Sequence, residues 1–190
     1  MSLQMVPLTP ERVEDFFEFF DHVAFNRHSE WGCGCYCCFF HATDQATWSL
    51  RTPEQNAAEA RALILAGRMR GMLAYEGAKP VGWLHYDACA NLPGTRLFYP
   101  ELATEEPGSA ALVCFTVAQG WRGQGVATQL LQAALEELKT GGFQRVEAYP
   151  VLEDDSEEHN YLGPLALYRK FGFTEVKQTE THMLVELWLA

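Results

Sequence analysis

The stretch Val117–Leu131, VAQGWRGQGVATQLL, decides how this 190-residue chain is read. A β-branched run from Leu112 to Val117 leads into it, and Gly120, Gly123, Gly125 and Arg122 fill a turn. Val126, Leu130, Leu131, Ala134, Leu135 and Leu138 then repeat at helical spacing. A strand, a glycine turn and a helix start suit a phosphate. Glycines take positive φ and let successive N–H groups converge on one concavity. The helix N-terminus adds unpaired donors and partial positive charge, and Arg122 adds a full charge with a forked donor.

Three spacings compete for that turn. A Walker A loop needs Lys and Ser/Thr after the last glycine, where this chain has Val126 and Ala127, which argues against nucleotide hydrolysis. A dinucleotide fingerprint finds Gly123 and Gly125 but Thr128 at the third position, with Glu147 near the expected acid. It also lacks the repeated strand–helix–strand units that should surround it, so a dinucleotide-dependent oxidoreductase is the weaker alternative. The pattern R-x-x-G-x-A is met in full by Arg122, Gly125 and Ala127. Downstream, LALYRKFGFTEV (Leu165–Val176) reads as a short helix carrying Tyr168 and ending at Gly172-Phe173 before a strand.

These two motifs resemble the acyl-CoA loop and the C-terminal signature of the GNAT superfamily of N-acetyltransferases. The resemblance implies an α+β, α/β/α-layered fold: a mixed, mostly antiparallel sheet of about seven strands with helices on both faces. It implies one domain over residues 1–190, with a CoA-binding core at about 109–176. The expected element order is βααβββαβαββ. Acetyl-CoA would lie against Phe115, Thr116, Val117, Arg122, Gly123, Gln124, Gly125, Val126, Ala127 and Thr128. An N–H near Thr116 or Val117 would polarise the thioester oxygen, and Tyr168 would be the general acid that protonates the departing thiolate. A phenol is protonated at neutral pH and suits that task. One departure stands out. The asparagine that many members carry seven residues before this tyrosine is replaced by Tyr161, with Asn160 one residue early.

The reaction implied is direct transfer of an acetyl group from acetyl-CoA to a primary amine, with a CoA-binding sensor or scaffold as the non-catalytic alternative. Many relatives place a base on the central strand, but Ser109–Val117 holds no carboxylate. His85 and Glu147, on flanking strands, are the candidate bases, with Asp87 beside His85.

Composition sets outer bounds. Apolar residues make up 48% and aromatics 13%, enough for a full core. No apolar run approaches the ~18–20 residues of a membrane span, and no basic, then apolar, leader opens the chain. A cytoplasmic protein is expected, with neither membrane nor nucleic acid as partner, since a net charge of −11 opposes phosphate backbones. As a charge run, Glu153–Glu158 (EDDSEE) reads as a solvated loop. The resemblance puts it near the acceptor side of the cleft, which implies an acidic rim steering a cationic small-molecule or peptide amine inward. A C-terminal strand offering a sheet edge suggests a homodimer.

The segment WGCGCYCCFFH (Trp31–His41) is the strangest local sequence. Cys35-x-x-Cys38 has zinc-ligand spacing, but no second pair exists and cysteine behaves as a small buried apolar residue, so no metal is expected. In the GNAT arrangement this stretch joins the first two helices and walls the acceptor pocket. The resemblance therefore implies that Trp31 and Tyr36, with Phe39 and Phe40 and with Tyr149 from the strand that begins at Phe143, meet an apolar or aromatic acceptor or stack on a cation, plain packing being the alternative. Ala88–Gly108 reads as a long irregular connection, either a lid over the acceptor or an insertion packed on the sheet.

Overall fold

The computed structural model describes residues 3–25, 34–104, 106–152 and 160–189. Its frame is one seven-stranded sheet: β1 (Gln4–Pro7), β2 (Gly71–Glu76), β3 (Lys79–Ala88), β4 (Ser109–Val117), β5 (Arg145–Ala148), β6 (Thr174–Gln178) and β7 (Met183–Trp188). The spatial order is β1-β2-β3-β4-β5-β7-β6, and only β4 and β5 run parallel. This is the mixed, mostly antiparallel sheet expected, and not the doubly wound parallel sheet a dinucleotide fingerprint requires. One expectation is corrected. The C-terminal strand β7 lies between β5 and β6, so the exposed edge belongs to β6.

Period-two alternation builds two faces. Met72, Ala74, Leu84, Leu112, Val146 and Val185 point to one side, where they meet Val126, Leu130, Leu131, Ala134 and Leu138 of helix α5 (Val126–Thr140). Burying each such leucine contributes roughly 1.5–3 kcal/mol. Leu73, Tyr75 and Trp83 point to the other side, against Phe16 of α1 (Val13–Glu18) and Leu63 and Ile64 of α3 (Pro53–Leu65). Helices therefore cover both faces. Gly82 permits the close approach of α5, because a Cβ there would sit 2.8 Å from Val126 Cγ1.

Local chemistry explains where the helices begin and end. Thr52 and Gln55 form a reciprocal capping box and Pro53 occupies the first turn of α3. The first helix is irregular. A 3-10 turn (Pro10–Arg12), α1 and a π-turn (Phe19–Val23) follow one another, and the Thr9 side chain makes no cap. Short helices α2 (Gln45–Ser49) and α4 (Pro93–Phe98) were not legible, since six residues or fewer display no 3.6-residue periodicity. With α4, the segment Ala88–Gly108 packs on the sheet: Leu92 and Leu102 are buried with Tyr149 and Leu184.

The feature that positions a site is the end of the β4–β5 pairing. The two strands run in register only from Ser109↔Arg145 to Leu112↔Ala148. At the same point the β3–β4 register slips, with Tyr86 opposite Leu112 but His85 opposite Cys114. Val113 is the extra residue, and bulges of this kind re-aim side chains. Beyond it, β4 has no strand partner on its β5 side, and the two strands diverge around an opening.

Candidate active site

A cleft of about 850 Å³ occupies that opening. One end is the glycine turn. Gly123 and Gly125 have φ of +71° and +79°, in the left-handed region that L side chains avoid, and Gly125 is the N-cap of α5. The first turn of α5 directs its unpaired N–H groups at this end. Arg122 lies in the wall with its Nε donating to the Val117 carbonyl at 3.1 Å, which ties the guanidinium to the end of β4.

The middle of the cleft follows the open edge of β4 from Val117 through Thr116 and Phe115 to Cys114. The opposite wall is Asn160, Tyr161 and Gly163, from a 3-10 turn (Asn160–Leu162) and the residue after it, with Leu167 of α6 (Leu165–Lys170). The far end is aromatic and sulfur-rich: Phe20, Phe39, Phe40 and Trp48 with Cys35 and Cys37. Tyr36 and Cys37 both hold positive φ (44° and 57°), which aims Cys37 at Trp83, whose Nε1 donates to its sulfur at 3.2 Å. Cys37 and Cys114 also share a hydrogen bond, and burial pushes the Cys37 thiol up.

The expected cofactor residues lie together on this cleft, apart from Gln124, whose Nε2 donates back to the Gly120 carbonyl at 2.7 Å. Tyr168 is placed behind the wall. It is fully buried, its hydroxyl donates to the Leu162 carbonyl at 2.6 Å, and burial pushes its pKa up. A Cβ on Gly163 would lie 3.0 Å from that hydroxyl and 3.1 Å from the Phe115 ring, so the bare glycine is what separates the phenol from the cleft.

The expected bases are not on the cleft lining. Glu147 is buried in a polar cluster: Arg145 Nη1 donates to it at 2.5 Å, Thr104 Oγ1 at 2.5 Å, and Tyr149 through its hydroxyl. Its two oxygens are consumed by core contacts, so the geometry does not suit a base. His85 is fully buried between the rings of His41 (5.2 Å) and Trp83 (6.0 Å), with neither ring nitrogen hydrogen-bonded among the described residues. Burial holds its pKa well below the ordinary histidine value, which keeps it neutral but weakly basic. Asp87 is bound to Asn91 and to the Ala88 N–H.

Two expected acceptor residues are likewise elsewhere. Tyr149 is buried, stacked on Tyr99 at 5.4 Å, and Tyr36 packs on Phe17 while donating to Asp21 at 2.6 Å. Both have their rings and hydroxyls occupied by the scaffold. Trp31 and the acidic run Glu153–Glu158 lie outside the described residues. Phe20, Trp48, Gly163 and Leu167 were not anticipated as cleft residues. Only Gly163-Pro164, an interruption ahead of a helix, left a signal in the sequence. Among the described residues no group of three or more histidine, cysteine or acidic side chains is arranged to hold a metal. The described cysteines carry free thiols.

The family model described as the acetyltransferase (GNAT) family matches residues 14–173. The chain belongs to the GNAT acetyltransferase family. It is thus an acyltransferase, and its seven-stranded sheet with flanking helices is the GNAT fold. No curated protein matches this GNAT chain in sequence. Solved structures match its fold over nearly the whole length. The GNAT domain of S. lividans PAT aligns with a TM-score of 0.62 at 17% identity, over 98% of this chain and 90% of that one. A PaiA N-acetyltransferase from Thermoplasma acidophilum, solved in complex with coenzyme A, aligns at 0.60 and 14%, over 99% of each chain. The ribosomal-protein-S18-alanine N-acetyltransferase from Escherichia coli aligns at 0.54 and 12%, over 100% of this chain and 95% of that one.

Proposed function

We propose that this GNAT protein transfers an acetyl group from acetyl-CoA to a primary amine within a single domain whose CoA-binding core spans about residues 109–176. The observation that carries the reading is the continuity of the cleft. It runs from the N–H-rich end at Gly123 and Gly125, along the open edge of β4, to the wall behind which Tyr168 sits. Phosphates fit the first part, where helix N-terminus, glycine turn and Arg122 converge. The amide-bearing arm of CoA fits the second, because an unpaired strand edge offers N–H and C=O groups at regular spacing. The thioester then lies near Phe115 and Thr116, where a strand N–H can polarise its oxygen.

Tyr168 is the general acid in this reading. Its raised pKa keeps the phenol protonated at neutral pH, and one glycine separates its hydroxyl from the cleft. To protonate the thiolate it must release the Leu162 carbonyl. Holding amine and thioester in one cleft supplies much of the acceleration.

Two broader parts of the reading rest on the surface and the thiols. Free cysteines fit the reducing cytoplasm, and no helix among the described residues is long and apolar enough to cross a membrane. A homodimer would form through edge strand β6, where Val176 is 51% exposed.

Calorimetry with acetyl-CoA and with NAD, paired with an amine screen for thiol release, tests the reaction. Tight acetyl-CoA binding and amine-dependent thiol release are expected. Tight NAD binding with no acetyl-CoA binding would end the proposal.

A further inference from the structure

We infer that the acceptor is an amine uncharged at neutral pH and carried on an aromatic body, an arylamine being the simplest case. The inference rests on the acyl-transfer reading above and concerns the aromatic, sulfur-rich end of the cleft.

That end is a rigid apolar wall. Phe39 is held on one face by Phe98, stacked at 3.9 Å with an interplanar angle of 17°. Phe40 and Trp48 meet it edge-on at 5.0 Å and 5.4 Å. These contacts fix the rings before a ligand arrives, and pre-fixed aromatic surface favours a flat ring in offset or edge-on contact. Cys35 adds to the apolar character, since burial pushes its thiol up to about 11 and leaves it neutral.

The neighbouring charges are turned to other work. Asp21 accepts from Tyr36, Asp44 caps α2 through the Thr47 N–H, and Arg51 pairs with Glu59 and Asn56. Among the described residues that line the cleft, Arg122 is the only ion, and it stands at the phosphate end. An ammonium group entering the aromatic end would lose hydration with no carboxylate among the described lining residues to replace it, a costly exchange. The same lining holds no carboxylate or histidine to remove a proton from an ammonium. An arylamine escapes both difficulties, because its lone pair is delocalised into the ring and the nitrogen is neutral at pH 7.

The chemistry balances without an external base. The amine lone pair attacks the thioester carbonyl carbon, the C–N bond forms, and the C–S bond breaks with its electron pair leaving on sulfur. Tyr168 gives its proton to the departing sulfur, and the resulting phenolate takes the proton that nitrogen releases as the adduct collapses, so the phenol is restored and no proton is left over. The products are the N-aryl acetamide and CoA thiol.

The test measures acetyl-CoA-dependent thiol release with aniline, phenethylamine (aromatic but cationic) and spermidine (cationic, not aromatic), from about pH 6 to 9, beside calorimetric acetyl-CoA binding. Aniline is expected to give the highest kcat/KM at neutral pH, with no amine deprotonation step in its pH profile. Trp48→Ala is expected to raise the aniline KM about tenfold with acetyl-CoA affinity unchanged, and Trp48→Phe to restore it. Preference for phenethylamine or spermidine overturns the inference, as does acetyl-CoA binding without turnover of aniline, or an aniline KM indifferent to Trp48→Ala. Failure to bind acetyl-CoA overturns the acyl-transfer reading itself, which separates the two.

Discussion

The Tyr168 hydroxyl donates to the carbonyl of Leu162 at 2.6 Å, and this bond joins α6 to the turn that walls the cleft. A phenol so placed has a structural and a chemical part to play, and the two separate experimentally. Tyr168→Phe leaves a buried carbonyl unpaired, which should cost about 1–2 kcal/mol in urea unfolding. If Tyr168 is also the acid, turnover falls by about a hundredfold or more while acetyl-CoA affinity is unchanged. A stability loss with unaltered turnover would leave Tyr168 a scaffold residue.

Arg122 should govern cofactor affinity. Its guanidinium is tied to the Val117 carbonyl and lies at the end of the cleft assigned to phosphates. Arg122→Ala is expected to raise the Kd for CoA by roughly ten- to a hundredfold, the range of a charge-assisted hydrogen bond. The salt dependence of binding should weaken in parallel. Arg122→Lys should recover only part of the loss, because an ammonium lacks the planar fork. Equal affinity in wild type and alanine variant would place the phosphates elsewhere.

Glu147 should matter for folding and not for chemistry. It is fully buried beside Arg145, which also bonds Glu186 at 2.7 Å. Removing one partner of a buried pair typically costs about 3–5 kcal/mol, and Glu147→Ala should destabilise the protein on that scale. The folded fraction should keep the wild-type kcat and pH–rate profile. A shifted or lost acidic limb in that profile would return Glu147 to the role of base.

Acid should destabilise the protein through its buried imidazoles. Burial brings His41 down to about 4 and holds His85 well below its ordinary value. The unfolded chain, with histidines near ~6.5, therefore binds protons between those values that the folded chain does not. Stability is full above about pH 6.5 and falls as pH is lowered toward the folded pKa values. His41 alone accounts for about 2 kcal/mol by pH 5. Urea midpoints measured from neutral pH down to pH 5 check this, and the acid loss should shrink in His41→Phe.

Much of the fold was legible because its determinants are local. The apolar stripe of α5 and the glycines of the turn ahead of it each act within a few residues of themselves. The glycine-turn end of the cleft was legible for the same reason: turn, strand end and helix start are contiguous in sequence. The aromatic end was not. Phe20, Phe39, Trp48 and Cys114 are separated by up to about a hundred residues, and nothing in the spacing of Trp48 marks it as a neighbour of β4.

The resemblance to the family, the strand–turn–helix around Gly123 and Gly125, and a tyrosine on a short helix are all legible in contiguous stretches of the chain. Those depend on backbone conformations that glycine, proline and apolar periodicity dictate locally. Only the tertiary structure decided which polar residues are free to act. Glu147 and Tyr149 are buried with Arg145, and the Glu147 carboxylate accepts hydrogen bonds from both. Strand residues alternate between faces, and a one-residue shift of register moves a whole set to the other face. That choice is made by packing across the sheet, and it is why the glycine-turn end of the cleft could be read from the chain while its aromatic end could not.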